Sequence, residues 1–186
     1  MNPAIFLDRD GVINVDRHYC HKVSELELCE GIVEGLKTLH ELGYLFVVVS
    51  NQSGVARGYH QVSDTLRFHQ AINSTLKSLG APNIDLFVFC PHLPLGNIKE
   101  YAVDCRCRKP ATGMIDIAAH RLNIDLRASW LVGDRWSDIE AGHKRGLKSI
   151  QIKSKIHAKV HHAAVRLTDN FLDAANLIAG TLKSNS

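Results

Sequence analysis

The chain lacks an apolar run long enough to cross a bilayer. Its longest strongly apolar stretch is Leu45-Phe46-Val47-Val48-Val49, whereas a spanning helix needs ~20 such residues. It also lacks a secretory leader pattern. No basic region opens it, and the apolar stretch that starts at Ala4 stops at Asp8. A cytoplasmic location, where thiols stay reduced, is therefore expected. No block of five like charges occurs, and 22 Lys plus Arg against 19 Asp plus Glu leave a net charge of only +3. That balance suits an anionic ligand without demanding nucleic acid. Internal repeats and low-complexity segments are absent. The five cysteines are an odd set for a disulfide framework.

What is present is ordinary for a globular protein: 45% hydrophobic and 22% charged residues in a chain of 186. That length fits one domain, residues 1–186. Short apolar runs predict strands over 4–7, 44–49, 84–89, 129–132 and 149–152, with a short edge strand at 165–167. Helical spacing predicts helices over 31–42, 62–79, 114–122, 137–145 and 170–178, several closed by a glycine such as Gly43, Gly80 or Gly146. Between 90 and 108 no period holds, and Pro, Gly, Cys and charge dominate. Strands alternating with helices imply a doubly wound α/β fold with a mostly parallel, Rossmann-like sheet and helices on both faces. Ligands in such sheets bind beyond the carboxyl ends of the strands. Asp8 and Asp10, Ser50 and Asn51, and Asp134 all follow predicted strands directly, so they should gather on one edge.

Asp8 and Asp10 are close enough to repel, and a hard divalent cation such as Mg²⁺ is the simplest partner for paired carboxylates. Asp134 would add a further acid from another strand. Each aspartate alone reads equally as the cap of a turn or helix. Three at strand ends, joined by Ser50 and Lys109, favour a site.

Phe6-Leu7-Asp8-Arg9-Asp10-Gly11-Val12, Ser50-Asn51, Lys109-Pro110 and Gly133-Asp134-Arg135-Trp136-Ser137-Asp138 resemble, in order and spacing, the four motifs of the haloacid-dehalogenase-like phosphatases. The resemblance covers about residues 4–152. It implies Asp8 as the nucleophile that forms an aspartyl-phosphate. Asp10 would protonate the leaving oxygen and then deprotonate water. Mg²⁺ would sit on Asp8, the Asp10 carbonyl and Asp134. Ser50, the Asn51 amide and Lys109 would hold the phosphoryl oxygens. Asp138 is open to two readings: reaching a metal-bound water, or occupying the first turn of a helix where the dipole favours acids.

Cys90-Pro91-His92 and Cys105-Arg106-Cys107 give C-x-H-x12-C-x-C, a donor set for structural Zn²⁺. Such a metal would replace a hydrophobic core and pin the loop 90–108 ahead of Arg108 and Lys109. Cys20 and Cys29 read as buried small residues. The zinc loop, with the strings DRDGVIN, SNQSG-x-AR, CPH, CRKP-x-x-GM and GD-x-x-x-D, narrows the resemblance to a subgroup acting on sugar bisphosphates or histidinol phosphate. It implies hydrolysis of the C7 phosphate of D-glycero-D-manno-heptose 1,7-bisphosphate, within heptose and lipopolysaccharide biosynthesis, with histidinol phosphate as the alternative substrate. Arg135 stands where that family usually has Lys, which keeps the charge and changes its shape.

The intervals between motifs leave no room for a large cap, so an open site framed by loops is expected. Asp16, Arg17, His18 and Tyr19 are candidate sugar contacts, and Ser50, Asn51, Gln52, Ser53, Arg108, Lys109 and Arg135 complete the candidate substrate-binding set. Lys153, Lys155, His157, Lys159, His161 and His162 read as a solvated basic face. The expected partner is a small phosphorylated sugar, acted on by a monomer without nucleic acid or membrane. From another class altogether, a catalytically silent, zinc-stapled binding module remains the competing reading.

Overall fold

A computed structural model describes residues 1–154, 156–157, 159–164 and 166–183. Lys155 of the basic stretch and Val165 of the expected edge strand lie outside the described residues. Six strands form one sheet: β1 (Ala4–Leu7), β2 (Leu45–Asn51), β3 (Leu86–Cys90), β4 (Trp130–Gly133), β5 (Lys148–Ile152) and β6 (Arg166–Thr168). Their order is β3-β2-β1-β4-β5-β6, and every pair is parallel. The helices are α1 (Ile32–Glu41), α2 (Ser53–Arg57), α3 (Val62–Ser78), α4 (Gly113–Leu122), α5 (Trp136–Lys144) and α6 (Phe171–Lys183), with single 3-10 turns at Val23–Glu25 and Leu126–Ala128.

The two-residue alternation of each strand divides the core into two layers. Ile5, Leu7, Phe46, Val48, Val132 and Ile150 face one side, where Leu36 of α1, Phe68 and Ile72 of α3, and Phe171 and Ile178 of α6 cover them. Ala4, Phe6, Val47, Val49 and Leu131 face the other, against Met114 and Ile115 of α4 and Ile139 of α5. Strands covered on both faces read as continuous apolar runs, and β1 is fully buried along its length.

The helices begin and end on local chemistry. The Asp64 carboxylate accepts the Gln61 N–H at 2.7 Å at the start of α3, satisfying a donor that the helix leaves orphaned. Gly43 follows α1 at φ 80°, a conformation that glycine adopts without strain.

Register then sets the site. Leu7 of β1 pairs with Val48 of β2 and with Val132 of β4, so the residues just past these three strands meet at one edge. The chain leaves β1 for β2 on one side and returns to β4 on the other. That reversal opens a crevice beside Asp8, where open α/β sheets hold their ligands.

Candidate active site

Asp8 follows β1 and is anchored by its N–H to the Val132 carbonyl at 3.0 Å. Its Oδ1 accepts the Arg9 N–H at 2.8 Å and the Lys109 ammonium at 2.9 Å. Lys109 is buried and has two further partners: Asp138 Oδ1 at 2.6 Å and the Val49 carbonyl at 2.6 Å. Three acceptors match the three donors of an ammonium. Burial works against its charge, yet Asp138 and Asp8 outweigh it and raise its pKa. Asn51 clips the lysine backbone in place, donating to the Lys109 carbonyl and accepting its N–H, both at 3.0 Å.

Asp138 does two things at once. Oδ1 holds Lys109, while Oδ2 accepts the Arg135 N–H at 2.9 Å at the start of α5. It packs so closely on Gly133 that a Cβ there would lie 2.3 Å from the Asp138 Cβ. The first-turn reading of Asp138 therefore holds, and a contact to Lys109 that sequence did not suggest joins it.

Asp134 is the odd carboxylate. Both its oxygens are buried with no hydrogen-bond partner among the described residues, and Arg135 Nε is 3.8 Å from Oδ1. Burial, then the nearby charges of Asp8 and Asp138, push its pKa up to about 8; Arg135 and the Ser154 side chain oppose this only in part. Asp8 is pushed up to about 6, by burial first and by Asp138 and Asp10, against the pull of Lys109. Oxygens of Asp8, Asp134 and Asp138 lie within 4.8 Å of one another. Orphaned, mutually repelling carboxylate oxygens fit a small hard cation. Gly11, at φ 84°, makes room for them: a Cβ there would lie 2.6 Å from Asp134 Oδ2.

Asp10 is handled in the opposite way. The fully buried Arg9 donates to Oδ1 from Nε at 3.2 Å and from Nη2 at 2.9 Å, and to Oδ2 from Nη2 at 2.9 Å. Asn14 donates to Oδ1 at 2.9 Å and Gln52 to Oδ2 at 3.1 Å. Burial favours the neutral acid, but Arg9 and the bonds from Asn14, Arg9 and Gln52 prevail, and the pKa falls below the usual carboxylate range. Gln52 also donates to Ser50 Oγ at 2.8 Å, which turns the Ser50 hydroxyl proton elsewhere.

Asp8, Asp10, Ser50, Asn51, Arg108, Lys109, Arg135 and Asp138 line a recess of about 180 Å³. It adjoins a cleft of about 300 Å³ to which Asp16, His18, Tyr19, Ser53, Arg57 and His157 contribute. Asp16 Oδ2 holds Arg135 Nη2 at 3.0 Å, and Arg108 Nη1 bonds the His92 carbonyl at 3.1 Å.

One sequence candidate is not brought to the cleft. Arg17 points outward to an exposed ion pair with Glu27. Gln52 does reach the cleft wall, largely buried, and its amide also braces Asp10 and Ser50. Arg9 and His157 were missed. An arginine flanked by two aspartates at a buried strand end could have signalled the first; nothing local signals the second.

The loop after β3 brings Cys90, His92, Cys105 and Cys107 together, their donor atoms all within 4.8 Å. Cys107 Sγ is 3.0 Å from Cys90 Sγ and 3.2 Å from Cys105 Sγ, and His92 Nδ1 is 3.4 Å from Cys107 Sγ. A tetrahedron with ~2.3 Å metal–sulfur arms has edges of about 3.8 Å, so a modest expansion would admit an ion. Cys20 is buried, as expected, and Cys29 is half-buried. No helix among the described residues is long and apolar enough to cross a membrane.

The HAD-hydrolase-like family model matches residues 106–175. The chain is 38% identical over 172 residues to a D-glycero-alpha-D-manno-heptose-1,7-bisphosphate 7-phosphatase of Photorhabdus laumondii, spanning 92% of this chain and 91% of that one. It is 42% identical over 146 residues to the D-glycero-beta-D-manno-heptose-1,7-bisphosphate 7-phosphatase of Escherichia coli K12, spanning 75% and 72%. Among solved structures, a D,D-heptose 1,7-bisphosphate phosphatase from B. bronchiseptica, complexed with magnesium and phosphate, matches with a TM-score of 0.81 at 25% identity over 99% of each chain.

Proposed function

The chain belongs to the haloacid-dehalogenase-like phosphatases, and from that premise we propose that it releases the C7 phosphate of D-glycero-D-manno-heptose 1,7-bisphosphate in a magnesium-dependent reaction. As a member, it is a phosphoric monoester hydrolase. The observation that carries the reading is the pairing of opposites at one sheet edge. Asp8 sits between the Lys109 ammonium and the orphaned Asp134 carboxylate, while Asp10 beside it is held charged.

Asp8, Asp134 and the Asp10 carbonyl would hold the magnesium. Bound there, it would offset phosphoryl charge and favour the ionised form of the acids around it. Both donor contacts to the Asp8 carboxylate fall on Oδ1, which leaves Oδ2 as the attacking atom. The P–O bond to the sugar breaks as the Oδ2–P bond forms. Lys109, fixed by Asp138 and Val49, lends a point charge to the phosphoryl oxygens, and the Ser50 hydroxyl donates to another. Asp10 rests as a carboxylate, so to protonate the sugar oxygen it must first take up a proton, which the anionic phosphate arriving beside it favours. As a carboxylate it next takes a proton from the water that cleaves the acyl phosphate, which restores the acid for the following turnover. The low pKa of Asp10 suits the second of these roles.

The four donors around Cys90 would hold one zinc, which fixes Arg108 through the His92 carbonyl. The relatives' names and the cationic cleft support a bisphosphate over histidinol phosphate, whose ammonium would be repelled by Arg57, Arg108 and Arg135. Phosphate release from the two compounds, with and without Mg²⁺, tests the reading. A higher kcat/KM for the bisphosphate and dependence on Mg²⁺ are expected; a preference for histidinol phosphate overturns the substrate.

A further inference from the structure

The segment between β5 and β6 reads from sequence as a solvated basic face, but it is pinned down. Buried Gln151 on β5 donates to the Lys159 carbonyl at 2.8 Å and accepts the His161 N–H at 2.8 Å. His161 is itself buried, with Nε2 2.9 Å from Glu140 Oε2 on α5 and Nδ1 accepting the Ala163 N–H at 3.0 Å. On the near side, Ser154 Oγ accepts the N–H groups of Ile156 and His157 at 3.3 and 3.1 Å. Lys159 caps the ring of Trp136 at 5.0 Å. Polar groups buried in pairs fix a conformation, because breaking any one leaves its partner unsatisfied.

This fastening carries the His157 ring to the wall of the substrate cleft, which Arg57 and Arg108 also line. Its side chain keeps 31% of its exposure. Its Nε2 is buried and has no hydrogen-bond partner among the described residues. The nearest acid, Asp16 Oδ2, is 3.8 Å away and already serves Arg135. On the wall of a cleft rimmed by three guanidinium groups, a half-buried imidazole whose Nε2 has no partner among the described residues can turn that nitrogen outward, in the tautomer that carries its hydrogen there, and donate to an anionic oxygen.

Resting on the bisphosphate reading above, we propose that His157 is a specificity-determining residue whose Nε2 binds the phosphate that the enzyme leaves in place. The reacting phosphate fills the recess that Asp8, Ser50 and Lys109 line. The second phosphate of a bisphosphate then extends into the cleft, where Arg57, Arg108, Arg135 and His157 converge. A monophosphate of the same sugar presents only a hydroxyl there and gains less.

The test measures kcat and KM of the full chain with Mg²⁺ on heptose 1,7-bisphosphate and on heptose 7-phosphate, for the wild type, His157→Ala and His157→Gln. The wild type favours the bisphosphate. His157→Ala raises its KM about tenfold, the usual scale of a lost charge-assisted hydrogen bond, with kcat within about twofold. The ratio of kcat/KM between the two substrates falls by about the same factor. His157→Gln, whose amide also donates, recovers most of that ratio. An unchanged ratio in His157→Ala, or a loss mainly in kcat, overturns the role of His157 while the substrate reading stands. A wild type with no preference for the bisphosphate overturns the substrate reading and this proposal with it.

Discussion

Replacing Arg9 should damage catalysis without touching the substrate. Its guanidinium is fully buried and makes three contacts to Asp10, a bond to the Cys20 carbonyl at 2.6 Å and a cation–π contact 4.7 Å above Phe68. Arg9→Met keeps much of the stem's packing and removes the fork. Breaking one side of a buried pair costs about 3–5 kcal/mol, or roughly 10 °C in Tm for a chain of this size. Asp10 keeps Asn14 and Gln52 but loses the contacts that fix its plane, and a general acid–base group contributes ~10² to 10⁴ in rate. A fall in kcat of about 10² is therefore expected, with KM within a few-fold because Arg9 is out of reach of the cleft. Arg9→Lys restores charge but not the fork, so it should recover stability more than kcat. Thermal melts and steady-state kinetics on the same preparations separate the two effects. Near-normal kcat in a folded Arg9→Met, or a change confined to KM, would refute the argument that Arg9 positions Asp10.

Asp134→Asn should abolish the rise in Tm that Mg²⁺ gives the wild type, read by thermal melts over a Mg²⁺ titration, because the orphaned oxygens at its site are the proposed ligands. Elemental analysis should find one zinc per chain. Cys105→Ser should lose it and raise KM by about tenfold, through a loosened Arg108, before the sheet unfolds. His69 is buried against Phe87 with neither ring nitrogen bonded among the described residues. Burial, then Arg9, holds its pKa down to about 3, against a small opposing pull from Asp10. The unfolded chain therefore binds a proton between about pH 6.5 and 3 that the folded chain refuses. This contribution to stability is complete above pH 6.5 and is lost as pH falls. At pH 5 the loss is about 2 kcal/mol. Urea midpoints at pH 5 and 7.5 should differ less in His69→Phe than in the wild type.

Strands whose burial is complete were the most legible elements. Residues 4–7 were expected as a strand, and β1 is Ala4–Leu7. The helices agree to a residue or two at most ends, because Gly31, Gly43 and Gly80 mark the boundaries. The expected strand at 84–89 starts later, at Leu86: Ile84 N is taken by the Asn73 side chain at 2.8 Å, and the Asp85 carboxylate accepts Phe46 N at 2.7 Å. α2, five residues long, is too short to show a period. α6 runs on to Lys183, past the apolar positions that suggested its end. At the site, Asp8, Asp10, Ser50, Lys109 and Asp134 were legible because each lies next to a strand end or in a local motif. Arg9 and His157 were not, for their roles depend on where a side chain turns after distant segments meet. Gln52 is legible as a member of the site, but the bridge its amide makes between Asp10 and Ser50 is not.

The covalent step is the centre of the account, and trapping it is the most direct test. The full chain with Mg²⁺ and the bisphosphate is quenched in acid during steady turnover, digested, and its peptides are read by mass spectrometry. A phosphoryl increment on Asp8, absent without substrate and absent in Asp8→Asn, is the expected result. Rapid turnover with Asp8 never phosphorylated, or undiminished turnover in Asp8→Asn, would contradict it.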